Sequence, residues 1–515
     1  MKRHNSSPIL LVACLLAAFS VFPPSAAHAG APGALLSEPP VVATAEQRIE
    51  LAADLDAIFG DPAFASSFFG VVVQSLDSGD VWYTRDADKL LMPASNQKIP
   101  TTAVALRVLG PDFTYTTSVH AGGDIVDGVL QGNLLVWGNG DPTLYTRFFS
   151  DPREVFRGWA ELLKEQGINR IEGDIVGDAS AWDDTRVGYG WPVDNLTWWY
   201  GAEVGPLLIN ENYVDLMIHP PAEPALEARI VPNLPSSYYT IVNRLAVEMD
   251  GRNDVEITRD LGTNTIVVSG RVVAGTDAFE LSPAITNPTL FYTTVLKEVL
   301  VEAGIEVTGQ AREMLTLPRG ATPTRQLPEL IVHNSPTYDK IATVLMKRSQ
   351  NLYAEAAVRT VAWKETGFGS FRAGRTIVNR ELATMGIEPG TYAFMDGSGL
   401  TRYNLISARQ IANILVAMKH NEDLAELWLE VMPVMGVDGT LSRRLRDTPA
   451  QGNVRAKTGT ISNVRALSGY LTTESGEELV FSIIANNQLQ GSGAVDRVVD
   501  QALLRLVEFS PVAED

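Results

Sequence analysis

Ser95 and Lys98 stand three residues apart in the stretch Pro93-Ala94-Ser95-Asn96-Gln97-Lys98. On a helix that spacing puts both side chains on one face, with the hydroxyl and the amine in hydrogen-bond reach. An uncharged amine there can take the hydroxyl proton and leave a nucleophilic oxygen. The reference lysine pKa is about 10.4, so the site must lower it by about three units, or about 4 kcal/mol, to keep the amine neutral at pH 7. Burial and a second cation together can do this, and the free N–H groups of a helix start favour an oxyanion beside them. Taken alone, the pair also fits a surface serine and lysine at an ordinary helix start. Of the ten lysines, however, only Lys98 follows a serine at this distance.

Two further triplets bear on the same chemistry. Ser349-Gln350-Asn351 joins two helical stretches and offers a hydroxyl and an amide to a shared cleft, or else a polar helix–helix turn. Lys457-Thr458-Gly459 falls in a strand-like segment. Its lysine supplies a cation, its threonine a hydroxyl, and its glycine room for another backbone; the plainer reading is an exposed edge-strand lysine. Strict alternation would point Thr458 away from Lys457, so using both at one site calls for a twisted edge.

The elements that must hold these residues can be traced along the chain. Arg48–Phe59 has helical spacing, with Leu51, Leu55 and Ile58 on one side. The runs 68–76 and 80–86, joined by Asp77-Ser78-Gly79, predict a hairpin. After Pro93 the pattern becomes helical through Ile99, Ala103, Leu106 and Leu109, and Gly110-Pro111 stops it. Pro100 is tolerable only near the helix start. Residues 113–330 change to short strands with Gly/Asp turns, interrupted by helices near Val155–Gln166 and Phe291–Ala303; 215–285 is almost all strand-like. Helices return with Ser335-Pro336 as cap and first-turn proline, then over Leu352–Trp363 and Leu405–His420. Two antiparallel strands around Lys457 and a closing helix over Ala494–Val507 end the chain. Strands at both ends with helices between imply one α/β (α+β) domain, 46–115 with 330–515, split by a mostly β insertion. The insertion divides into 116–214 with 286–329, and a nested 215–285.

Residues 1–29 have a basic start, an apolar run from Ile9 to Phe22, and Ala27-His28-Ala29 before Gly30. This reads as an export signal, followed by an Ala/Pro/Gly-rich linker over 30–45. The apolar run is short for a bilayer anchor, and it continues past Cys14, against a lipidation box. Cys14 is the only cysteine, so removing the signal leaves no disulfide, thiol nucleophile or cysteine metal site. The formal charge is −20, and losing Lys2 and Arg3 makes it two units more negative. Such acidity argues against nucleic acid and anionic membranes. No cofactor is expected, and no His/Asp/Glu cluster has zinc spacing.

In order, S-x-x-K, S-x-N and K-T-G form a specific set that resembles the penicillin-binding-protein and serine β-lactamase superfamily. The separation of 254 positions from Ser95 to Ser349 narrows it, as do "GNGDPTL" (138–144), "GWPVDNLTWWYGA" (190–202) and "DGSGLTRYN" (396–404). Over roughly Glu46 to Phe509 the chain resembles peptidase S13, the D-alanyl-D-alanine carboxypeptidase/endopeptidase family of class C low-molecular-mass penicillin-binding proteins. The resemblance implies attack by Ser95 on the D-Ala-D-Ala bond of peptidoglycan stem peptides, with Lys98 as base. It implies that Ser349 and Lys457 pass the proton to the leaving amine, and that Asn351 binds the substrate amide and orients Lys98. Thr458 would hold the terminal carboxylate, beside Gly459, and the N–H groups of Ser95 and Thr460 would form the oxyanion hole. β-Lactams should acylate Ser95. Around the third stem residue the resemblance places Asp194, Tyr200, Arg402 and Ser462. The order Asp194-Asn195 is reversed relative to the family's more frequent pattern, and Ser462 stands where some relatives have a longer amide.

Competing classes fit less well. A β-lactamase needs fast deacylation, and no Glu-x-x-Leu-Asn stretch is present. A non-catalytic β-lactam sensor or scaffold has no need of three intact triplets. A Ser-His-Asp hydrolase is poorly served by His120, His219, His333 and His420 and the lack of a Gly-x-Ser-x-Gly elbow.

Overall fold

The structure is a computed structural model that describes residues 44–317 and 322–510. The export signal and nearly all of the 30–45 linker lie outside these residues. The linker expectation runs slightly long, because a helix already starts at Ala45. Thr44 and Gln47 form a capping box there, and the helix runs to Phe59.

The hairpin 68–76/80–86 forms as the strands Phe68–Ser75 and Val81–Arg85, with a register shift between Val73 and Gln74. They join Arg455–Ile461, Val464–Thr472 and Glu478–Asn486 in one five-stranded antiparallel sheet. Its order is 455–461, 464–472, 478–486, 68–75, 81–85. Side chains alternate across it with period two. Val71, Val73, Phe481 and Ile483 pack on one face with Leu51 and Leu55 of the first helix and Val495 and Val499 of the closing helix Ser492–Val507. On the other face Val480 and Ile484 meet Ile99 and Leu106 of the helix Lys98–Leu109, and Tyr353 and Val358 of the helix Asn351–Thr366. Val72 meets Ala408 and Ala412 of the helix Ala408–Lys419. This is the expected α+β sandwich of the penicillin-binding and serine β-lactamase type.

The insertion leaves and rejoins the sandwich at adjacent points. Thr116–Val126 pairs with Glu329–Asn334, Thr116 opposite Asn334. One residue further out, the Tyr115 and Ser335 backbones are joined by Ser335 N–H to Tyr115 O at 3.0 Å and Tyr115 N–H to Ser335 Oγ at 2.9 Å. The same device recurs inside it. Leu216–His219 pairs with Phe279–Leu281, and Val214 N–H reaches Pro283 O at 3.0 Å. A tight turn at Asp127-Gly128, both with positive φ, sets the hairpin Thr116–Val126/Val129–Gly138. The helices Glu154–Glu165 and Pro288–Glu302 share a core with that sheet.

Two local expectations are corrected. Ser335 is not a helix cap: the helix starts at Tyr338 with Thr337 at the cap position, because Ser335 is spent on Tyr115. Leu405 is not helical either. It bridges Ala393, and the helix begins at Ala408 behind a Ser407–Gln410 capping box.

Candidate active site

Ser95 sits in a 3-10 turn, Ala94–Gln97, that feeds directly into the α-helix Lys98–Leu109. Ala94 enters the turn at φ 47°. Asn96 fastens it to the sheet: its Nδ2 donates to Lys457 O at 2.7 Å, and its Oδ1 accepts from Ser468 Oγ at 2.6 Å. Gly459 is what lets the strand come so close. A Cβ there would lie 2.7 Å from Pro93 O and 3.1 Å from the Asn96 amide nitrogen. Asn96→Ala should therefore loosen the turn and take the side-chain donor from the buried Lys457 O, while Ser468 Oγ keeps Ser482 Oγ at 2.9 Å. We expect a loss of about 2–3 kcal/mol in urea denaturation and slower acylation of Ser95; unchanged values for both would show that the tether is not needed.

Lys98 is fully buried, and its Nζ has three oxygen neighbours: Ser95 Oγ at 2.9 Å, Asn351 Oδ1 at 2.6 Å and Ser398 O at 2.6 Å. The last two can only accept. A neutral amine, with two N–H bonds and one lone pair, gives its hydrogens to them and turns the lone pair to the Ser95 hydroxyl, the one neighbour able to donate. Burial lowers the Lys98 pKa to about 7, against the opposing pull of the Asp396 and Glu355 charges. The site thus meets the requirement posed by the sequence.

Ser349 ends the helix Tyr338–Arg348 in a left-handed conformation, φ 58°, and Asn351 opens the next helix. Lys457 Nζ donates to Ser349 Oγ at 2.7 Å and Thr458 O at 2.9 Å. Burial first, and the Lys98 charge second, push the Lys457 amine well below its ordinary range. The predicted conflict between Lys457 and Thr458 does not arise. The strand keeps unbroken register from Arg455 to Ile461. Lys457 reaches Ser349 from the buried side, while Thr458 lines the open cleft, its Oγ1 2.8 Å from Thr440 Oγ1. Asn351 has both ends of its amide engaged, Oδ1 by Lys98 and Nδ2 by Tyr200 O at 2.7 Å; one Nδ2 hydrogen remains.

Two carboxylates behind Lys98 escaped the sequence reading. Glu355 Oε1 accepts from Gly397 N–H at 2.9 Å and Ser398 N–H at 3.0 Å. Asp396 accepts from the Gly399 and Thr401 amides, Asn404 Nδ2 and Trp191 Nε1. Together they shape the 396–404 loop so that Ser398 O meets Lys98. Burial, and then the Asp396 charge, hold the Glu355 carboxyl above its usual range. Its signal in the sequence was an acidic residue one helical turn after Asn351, followed four residues later by its ion-pair partner Arg359.

Ser95, Ser349 and Asn351 open on a cleft of about 1120 Å³. Thr458, Gly459, Thr460 and Ser462 line one side of it; Asp194, Tyr200 and Arg402 also line it. Asn195 is there too, so the cleft meets both members of the reversed pair. Burial, and then the Asp194 charge, raise the Tyr200 phenol above its usual value. Arg402 donates to Ser462 O at 3.0 Å. Arg348, Arg444 and Arg465 were not foreseen at this cleft.

A serine–lysine pair at a helix start, beside the edge strand of a five-stranded antiparallel sheet clad by helices, defines a penicillin-binding or serine β-lactamase-like protein. Comparison with known proteins narrows the class. The D-Ala-D-Ala carboxypeptidase 3 (S13) family matches residues 51–506, and the chain belongs to that family. It is 32% identical to a D-alanyl-D-alanine carboxypeptidase of Actinomadura sp. (strain R39), over 93% of this chain and 89% of that one. It is 29% identical to the D-alanyl-D-alanine carboxypeptidase DacB of Haemophilus influenzae, over 82% and 86%. The crystal structure of penicillin binding protein 4 (dacB) from Haemophilus influenzae superposes with a TM-score of 0.76 at 26% identity, covering 89% of this chain and 99% of that one. A complex of that protein with a β-lactam gives 0.69.

Proposed function

We propose that this protein is a serine-type D-Ala-D-Ala carboxypeptidase that trims peptidoglycan stem peptides through an acyl-enzyme, and that β-lactams acylate the same serine. The observation that carries this is the triple contact of Lys98 Nζ, which leaves the Ser95 hydroxyl as the only donor to an amine held near neutrality. Lys98 takes the Ser95 proton as Oγ attacks the penultimate D-Ala carbonyl. The N–H groups of Ser95 and Thr460 receive the oxyanion, at about 3–4 kcal/mol per donor. Ser349, held by Lys457, delivers a proton to the leaving nitrogen of the terminal D-Ala. Water then hydrolyses the ester, and no metal or cofactor enters.

On the substrate side, Thr458 takes the terminal carboxylate, and Asn351 orients Lys98 and offers its remaining hydrogen to the peptide. Asp194, Tyr200, Arg402 and Ser462 surround the third stem residue. The pairing of strands at both necks of the insertion supports a three-part reading of the chain: 46–115 with 330–515, 116–214 with 286–329, and 215–285. The 1–29 signal supports export to the periplasm or cell wall. Among the described residues no helix is long and apolar enough to cross a membrane.

Mass spectrometry of the protein after incubation with benzylpenicillin tests the assignment. One adduct is expected on the peptide containing Ser95, and none in Ser95→Ala. An adduct elsewhere, or one that survives the substitution, overturns it. Digestion of purified muropeptides then separates D-Ala release from cleavage of cross-links.

A further inference from the structure

Gln350 lies between Ser349 and Asn351, and its side chain turns away from the cleft into the insertion. There its Nε2 donates to Glu211 Oε2. Glu211 is fully buried. It also accepts from Arg147 Nε at 2.8 Å, Arg147 Nη2 at 3.3 Å and Tyr213 OH at 2.7 Å. Its backbone is unusual: Asn210, Glu211 and Asn212 have φ of 52°, 50° and 55°, a run of left-handed residues that L side chains normally adopt singly. The run is pinned from within the insertion. Asn210 Nδ2 donates to Tyr213 O at 2.6 Å, and Asn212 Nδ2 to Ile285 O at 2.8 Å and Glu203 O at 3.0 Å. A strained turn fixed by its own surroundings thus presents one carboxylate oxygen across to the catalytic helices. Tyr200 O, from the same insertion, holds Asn351, so both residues after Ser349 are gripped from that side.

We propose that Glu211 is a positioning residue for the reaction. Through Gln350 it fixes the left-handed junction at Ser349, so that Ser349 Oγ meets Lys457 and Asn351 Oδ1 meets Lys98. This rests on the roles given above to Ser349 and Asn351. It makes the insertion part of the catalytic framework as well as a wall of the substrate cleft. A purely structural ion pair would influence folding alone; a positioning contact governs the bond-forming step after the ligand has bound.

The test measures benzylpenicillin acylation of the full chain, separating the dissociation constant of the first complex from the acylation rate constant, with thermal unfolding alongside. Gln350→Glu sets two carboxylates against each other and should lower the acylation rate constant about 100-fold, with the dissociation constant changed by no more than about 3-fold. Gln350→Met removes the donor to Glu211 together with the long Oε1 cap on Leu352 N–H (3.4 Å), and should lower it about 10-fold. The exchange Glu211→Gln with Gln350→Glu restores one amide facing one carboxylate, and should recover at least about 10-fold over Gln350→Glu. If Gln350→Glu does not fold, Gln350→Met decides the matter. An acylation rate constant in Gln350→Met equal to that of the unaltered protein overturns the proposal, as does an exchanged pair that folds normally yet acylates no faster than Gln350→Glu. An unaltered protein that forms no Ser95 adduct overturns the catalytic reading itself, before any variant is compared.

Discussion

Lys98→Met should lower the second-order rate of Ser95 acylation by benzylpenicillin at least about 10³-fold, within the span general bases supply. Methionine is one heavy atom shorter than lysine but unbranched and close to it in volume, so it keeps the buried space largely filled. It cannot accept the Ser95 proton or bridge Asn351 Oδ1 and Ser398 O. The pH profile of the unaltered protein gives the complementary evidence. With the amine pKa lowered to about 7, acylation should rise with pH up to about 7 and then level off, and the variant's residual rate should lack that limb. Stability should also rise with pH, but in a higher window: below pH 7 Lys98 is protonated in both states and adds no slope. In the unfolded chain Lys98 regains a pKa of about 10.4, so between pH 7 and 10 the unfolded state binds more protons and stability rises with pH. At pH 6 the buried ammonium costs up to about 4–5 kcal/mol, which the variant escapes. Urea denaturation at pH 6 and pH 9 should therefore show the unaltered protein gaining on Lys98→Met as pH rises. A pH-independent difference, or a variant that acylates within tenfold of the original, would contradict the assigned base.

Gly399→Ala should be the most damaging small substitution near the site. Gly399 has φ 84°, and a Cβ there would overlap the carbonyl oxygen of Ala94 and sit 3.0 Å from Gln97 Cβ. Either the 396–404 loop or the nucleophile turn must move, and both carry atoms that meet at Lys98. A shift of about 1 Å is enough for roughly 100-fold in rate, and holding an L residue at positive φ adds about 1–2 kcal/mol of destabilisation. Gly476→Ala is the control: φ is 88° but nothing lies within 4 Å, so it should cost stability alone. Equal acylation by the two variants would show that crowding against Ala94 is unimportant.

The local signals carried far. The Ser95–Lys98 spacing, the hairpin, the strand bearing Lys457 and the change of texture at residue 113 are all written in short windows, because helix faces and strand alternation repeat every few residues. Gly459 was legible for the same reason: a glycine between Thr458 and Thr460 in a strand needs a backbone neighbour to explain it. What stayed hidden is long-range. Asn96 reaches Lys457 across 361 positions and Glu211 reaches Gln350 across 139, and before folding each is one polar residue among many. Asp396 was quoted only as part of a motif, and its four-donor role in shaping the loop depends on which backbone amides turn inward. Ser335 misled because serine before proline fits a cap locally, while its true partner, Tyr115, lies on the far side of the insertion. Ser407 with Gln410 did carry the capping signature that starts the following helix.

The sheet that carries the active site has Phe68–Ser75 at its second position from one edge, zipped to Glu478–Asn486 with Phe68 opposite Asn486. Its middle is therefore stitched from segments some four hundred residues apart, the slowest kind of contact for a chain to find. An emerging polypeptide can complete the insertion's own layers early, but the partner of its first strand arrives almost last. The sheet around the serine is consequently incomplete for most of synthesis, and any truncation upstream of Glu478 removes the strand that joins the Lys457 side of the sheet to Phe68–Ser75.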